Sequence, residues 1–229
     1  MRAHAGQAMV PVHFTDYGDQ SDPGPYPIPR HVAIEGGRHS GGDRHVIVVD
    51  RHTCRDYELF AAYPHKHGSY WTAGSGAIFN LRSNRLRPAG WTSADAAGLP
   101  ILPGLVKYDE VADGAVNHAL RFTAPCTAGR YVYPARHDAP TCGKGKYPPM
   151  GLRVRLKGSV TIAGLPYQAR IIAAALKRYG MLLADNGSPW FISGAPDRRW
   201  NNSALHLLDL LTGRDFQVVN TSSLPRPGR

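Results

Sequence analysis

The sequence predicts a mainly β protein (sandwich or jelly-roll-like), with one or two helices in its C-terminal third. Three observations carry this. Short runs of β-branched and aromatic residues recur through the first two-thirds, bounded by Gly, Pro, Asn or Asp. The loops SDPGPYPIPRH (21–31) and EGGRHSGGD (35–43) hold too much proline and glycine to continue a helix. Only beyond Pro166 does apolar spacing become helical.

Taken in order, the strand candidates are Val10–Phe14, His45–Asp50, Tyr57–Ala62, Ala77–Asn80, Val116–Thr123, Arg130–Pro134 and Leu152–Leu156. In the last, Leu152, Val154 and Leu156 alternate with Arg153, Arg155 and Lys157, the pattern of a half-buried strand with a basic outer face. Pro166–Arg178 carries Ile171, Ile172, Ala175, Leu176 and Tyr179 at helical spacing, with Gly180 as its stop. Met181–Asp185 and Trp190–Gly194 read as strands joined by a turn at Asn186-Gly187-Ser188-Pro189. Asn202 or Ser203 caps a short helix, Ala204–Leu211, and Phe216–Val219 closes the chain as a strand. No internal repeat or linker interrupts residues 1–229, so one domain is expected, with loose ends at 1–8 and 221–229.

The 229 residues carry 27 basic against 17 acidic side chains, a net charge of +10, and arginine supplies most of it. No basic run exceeds two or three residues, which argues against a nucleic-acid partner. A positive surface does attract acidic polysaccharide. No stretch is long and apolar enough for a membrane span, and MRAHAGQAMVPVHF has no apolar core of a signal peptide. The nucleophile elbow, the P-loop and the H-E-x-x-H motif are all missing, which disfavours serine-hydrolase chemistry on the α/β-hydrolase fold and nucleotide-dependent transfer. Of three cysteines, Cys126 and Cys142 enclose a span that a hairpin or wide loop can close, and Cys54 is left over. A bridge would suit an oxidising compartment, but three separate thiols fit the spacing equally well.

Chemistry-bearing residues concentrate between Gly90 and His137. Asp95 and Asp109 flank an apolar loop, AGLPILPGLVKY, and a carboxyl delivered by such a loop suits acid catalysis. Turn and cap duty is the competing role for both. His118, placed on a strand with Leu120 and Phe122 on its face and Arg121 on the other, is a proton-transfer candidate or a hydrogen-bonded core residue. Arg121, Arg136 and His137 suit hydroxyls or carboxylates of a substrate, and Trp91 and Tyr133 suit stacking on a sugar ring. Glu58, within CRDYELF, faces either solvent or a cleft. Among the upstream histidines, His65-Lys66-His67 sets two imidazoles on one strand face. No third ligand accompanies them, so no metal or other cofactor is assigned.

The strings DPGPYPIP, GDRHVIVVD, YELFAAYP, GWTSADAAGLPILPGLV, HALRFT, ALKRYGMLLADNGS and WFISGAPD resemble a family of predicted secreted bacterial proteins with no settled activity. The likeness runs from about Val10 to Val219 and implies an export signal ahead of this segment; it transfers no catalytic residues. The combined expectation is an extracellular or periplasmic polysaccharide-degrading enzyme, a glycoside hydrolase or polysaccharide lyase. Asp95, Asp109 and His118 would act as acid and base in a β-sheet cleft, on polysaccharide or oligosaccharide, anionic ones included. A non-catalytic carbohydrate-binding or cell-surface module and a His-ligated metalloenzyme are the alternatives.

Overall fold

The computed structural model describes residues 1–143, 145–222 and 224. The protein is mainly β: among the described residues ten strands form three sheets, and three α-helices lie in the later part of the chain. Where the sequence suggests one domain, the chain divides into two compact units. Unit 1 comprises residues 1–102 with 134–138, and unit 2 residues 103–133 with 139–224.

Unit 1 holds two three-stranded sheets. In the first, β1 (Val12–Phe14) runs parallel to β5 (Tyr70–Ala73), which pairs antiparallel with β4 (Tyr63–His65). In the second, β3 (Arg55–Phe60) is central, antiparallel to β2 (Val46–Asp50) and to β6 (Ser75–Asn80). The β2–β3 turn is built by Asp50, whose carboxylate accepts from the backbone of His52 (2.9 Å) and the hydroxyl of Thr53 (2.7 Å). Tyr57 and Leu59 of β3 and Val46 and Val48 of β2 point into the core with Tyr26, Ile28, Trp71 and Ala73. A Cβ on Gly76 would lie 2.7 Å from the rings of Phe14 and Tyr26, so only glycine lets β6 approach this core. Residues 1–3, part of the expected loose end, pair with β2: Ala3 N–H donates to Val49 O (2.9 Å) and Val49 N–H to Met1 O (2.8 Å). The expected loose end at 221–229 falls, apart from 221, 222 and 224, outside the described residues.

Unit 2 is a four-stranded sheet in the order β10 (Phe216–Val218), β8 (Arg153–Leu156), β9 (Met181–Asn186), β7 (Leu120–Ala124). All neighbours are antiparallel except β7 and β9, which run parallel. Helix α2 (Tyr167–Arg178) buries Ala169, Ile172, Ala173 and Leu176, a 3–4–7 spacing that gives one apolar stripe. Gly180 ends it at φ 72°, and a Cβ there would strike Val154 O, so the stop predicted from sequence is also a packing requirement. Helix α1 (Tyr108–Ala112) precedes β7, and α3 (Asn202–Leu205) is capped by Asn201, whose side chain accepts from Ala204 N–H.

Four local expectations are corrected. His118 lies just before β7 and not in it, so it shares no strand face with Leu120 and Phe122. Arg130–Pro134 makes a single bridge, Tyr131 to Met150, because Pro134 and the nearby disulfide interrupt pairing. Trp190–Gly194 makes two isolated bridges only, since Trp190 turns at φ 57°. His65 ends β4 while His67 sits in a turn at φ 58°, so the two imidazoles do not share a strand face.

Cys126 and Cys142 are joined by a disulfide, with Cα atoms 5.2 Å apart, and Cys54 is a free thiol. Closing a loop of this length stabilises a chain by about 3 kcal/mol through the unfolded state. The Cys126→Ser/Cys142→Ser variant should therefore unfold at lower urea with about 3 kcal/mol less stability, and wild type treated with dithiothreitol should match it.

Candidate functional site

Strand β3 puts Tyr57 and Leu59 into the core, so alternation places Asp56, Glu58 and Phe60 on the opposite face of the sheet. That face is not solvated: Asp56 and Glu58 are both 0 % exposed. Residues 92–102 are anchored to it by polar contacts. Ile101 N–H (2.9 Å) and Leu102 N–H (2.8 Å) donate to the Glu58 carboxyl, and the Ser75 hydroxyl donates to Ser93 O (2.6 Å). Burial pushes the Glu58 carboxyl well up, with the neighbouring Asp56 adding to the shift and the two amides opposing it. Burial likewise raises Asp56 to about 6. Among the described residues neither Asp56 oxygen has a well-formed hydrogen bond, although its carboxyl lies close enough to that of Glu58 for the two to share a proton.

The loop above this pair is a knot of backbone contacts. The Ser93 hydroxyl donates to Leu99 O (2.7 Å), and Asp95 N–H donates to Ser93 Oγ (2.9 Å). Gly98, at φ 68°, leaves no room for a Cβ, which would stand 2.5 Å from Trp91 O. The strip 134–138 then docks here. Arg136 N–H donates to Ala97 O (2.8 Å), Gly90 N–H to Arg136 O (2.6 Å), and His137 Nδ1 faces Ala96 O (2.8 Å). Arg136 Nε–H donates to Arg87 O (2.8 Å).

Four residues singled out from sequence thus meet in unit 1: Trp91, Asp95, Arg136 and His137. Asp95 is fully buried, Trp91 lies within 5.6 Å of the Arg87 guanidinium, and Arg136 and His137 direct ring or guanidinium nitrogens at backbone carbonyls. Their visible contacts hold the loop together.

The other four belong to unit 2, where a second cluster forms. Asp109 is 80 % exposed on its side chain and pairs with Arg199 (2.8 Å), which also grips Asp197 (2.6 Å) and covers the Tyr108 ring (4.1 Å). Hydrogen bonds from Arg199 pull Asp197 down to about 2. The acid that meets His118 is Glu110, one helix position on: Nε2 lies 3.2 Å from Oε2, while Nδ1 faces Ala119 O at 2.9 Å. Burial opposes ionisation of Glu110, but the contacts of His118 and Lys107 outweigh it and hold the carboxyl below its ordinary range. With Ala119 O before Nδ1 and Glu110 before Nε2, the His118 ring is fixed in orientation. Arg121 is buried on β7, donating to Ser193 Oγ (2.5 Å) and Asp185 Oδ2 (3.3 Å). Tyr133 is half-buried, its carbonyl accepting from Thr221 Oγ1 (3.1 Å).

Sequence reasoning missed Glu110 as the partner of His118 and Asp56 beside Glu58. The i, i+2 spacing of Asp56 and Glu58 signals a shared strand face; their burial does not follow from it. No protein-family model, curated protein or solved structure matches the chain.

The buried pair fixes a pH dependence of stability. Carboxyls whose folded-state pKa is raised bind protons more tightly in the native state. Their contribution is therefore fully present in acid, below the ordinary carboxyl range, and is lost as pH rises through their raised pKa values, about 6 for Asp56. Chemical denaturation between pH 4 and 8 should show stability falling with pH, and Glu58→Gln, which removes one titrating group, should flatten that slope.

Proposed function

We propose that the protein is a polysaccharide-degrading enzyme working outside the cytoplasm, with the His118–Glu110 pair as its proton-transfer machinery. The observation that carries this reading is the pair itself: an imidazole 24 % exposed on its side chain, held 3.2 Å from a carboxylate. In such a pair the Glu110 carboxylate stabilises the imidazolium, the imidazolium gives its Nε2 proton to a leaving oxygen, and solvent water returns the proton to the neutral imidazole. Asp109, expected as an acid, is engaged by Arg199 on the surface, and Asp95 is buried. We assign both to positioning the surrounding chain.

Support for a sugar polymer comes from the surroundings. Asn117, next to His118 in the chain, lines a shallow depression with Arg178 and Tyr179, in which the Tyr179 hydroxyl donates to Asn117 Oδ1 (3.3 Å) and the Arg178 guanidinium covers the Tyr179 ring. The net charge of +10 favours an anionic polymer by long-range attraction. The Cys126–Cys142 bridge suits an oxidising compartment. Among the described residues no helix is long and apolar enough to cross a membrane.

A second reading, a non-catalytic carbohydrate-binding module, is favoured by the exposed rings of Tyr167, Trp190 and Phe191 in unit 2. A panel of neutral and uronate polysaccharides, read for new reducing ends and unsaturated products, separates the two. The enzyme reading expects turnover that falls by about 100-fold or more in His118→Ala, with Glu110→Gln shifting the pH profile. Retention of polymer without product in wild type would establish the binding module instead, and turnover unchanged in His118→Ala would remove the pair from the mechanism.

A further inference from the structure

The loop between Glu35 and His45 is a second cluster of chemistry-bearing residues, separate from the His118–Glu110 pair. Its two ends meet where Glu35 N–H donates to His45 O (3.0 Å), and Ala61 N–H, just after β3, donates to Asp43 O (2.8 Å). Its middle is wound around Arg44, a buried residue at φ 52°. The Arg44 guanidinium donates to Arg38 O (2.9 Å), Ser40 O (3.0 Å) and Ala62 O (3.2 Å). Gly36 and Gly37, at φ 71° and 90°, supply the left-handed turns this path needs. A loop fixed at so many points holds its side chains in place before any ligand arrives.

What it holds are Glu35, Asp43 and His45, each offering one ligand atom within 4.8 Å of the others. His45 is 9 % exposed on its side chain. Its Nε2 lies 2.9 Å from Ala94 O, a group that only accepts, so the ring proton belongs there. Nδ1 then turns toward Glu35 Oε2, 2.6 Å away. A lone pair and a carboxylate oxygen do not approach so closely without positive charge between them. One proton meets that need for Glu35 alone, yet a carboxylate oxygen of Asp43 also lies within 4.8 Å of the other two ligand atoms. A histidine whose remote nitrogen is fixed by a backbone carbonyl while the near one faces two carboxylates has the arrangement of a metal ligand with its orienting partner.

We infer that Glu35, Asp43 and His45 form a binding site for a first-row divalent cation of the Zn²⁺ class. Bonds of about 2.0–2.2 Å to one imidazole and two carboxylate oxygens would leave the remaining positions to water.

The test uses untagged full-length chain, stripped with EDTA and titrated with zinc chloride in equilibrium dialysis and by thermal melting. Wild type is expected to take up one Zn²⁺ per chain with a rise in Tm. Asp43→Asn and Glu35→Gln should each weaken binding by at least about tenfold. The double variant should lose both the stoichiometric binding and the Tm rise. These positions are exposed, so the variants fold even if His45→Ala, which cuts the bond to Ala94 O, does not. The chain has 11 histidines, and zinc retained equally by wild type and the double variant would place the metal elsewhere and overturn the assignment. Wild type that binds no zinc would show that a proton alone bridges His45 and Glu35, with the same consequence.

Discussion

Glu58 cannot be hydrated where β3 puts it, so backbone donors must come to it, and much of unit 1 follows from that requirement. An ionisable group without partners in a sheet interior costs several kcal/mol. The amides of Ile101 and Leu102 meet the need, and in doing so they bring residues 92–102 down over a sheet face that would otherwise expose Ile47, Val49 and Phe79. Ser75 and His45 add anchors to Ser93 and Ala94 along the same edge of the loop. Once the loop is down, it becomes the surface on which 134–138 is laid.

Arginine has an architectural part in this molecule. Arg44, Arg87 and Arg121 are all buried, and each uses its planar fork to collect several acceptors. Arg87 reaches Thr92 O and Gln20 O and pairs with Asp22, tying residues 20–22 to residues 87–92 of unit 1. Arg44 winds the 35–45 loop, and Arg121 joins β7 to Asp185 and Ser193 in unit 2. Part of the chain's positive excess thus serves folding, and what remains outside is available for steering an anionic partner.

The mainly β class was legible because it rests on local signals: the apolar alternation of Leu152–Leu156, the helical stripe of α2 and the stop at Gly180. Elements defined by partners were not. Strand β4, with Pro64 at its centre, and β5 have no alternation that distinguishes them from loop, and they exist because Trp71 and Ala73 enter a core assembled from distant residues. The site residues divide in the same way. His118 was identifiable by its chemistry, but choosing Glu110 over Asp109 as its partner depends on which helix position turns toward it. Arg136 and His137 looked like ligand-binding groups because sequence does not reveal that carbonyls of Arg87 and Ala96 lie within reach.

The five residues 134–138 have a consequence for how the molecule can be dissected. They are the only described residues after 102 that belong to unit 1, and the disulfide loop from Cys126 to Cys142 encloses them. No single cut yields an intact first half. A fragment ending at 102 would leave Ala96, Ala97 and Arg87 with bare carbonyls, and one extended to 138 would carry Cys126 without its mate. Neither unit therefore corresponds to a single continuous segment of the chain, whatever the compactness of each would suggest.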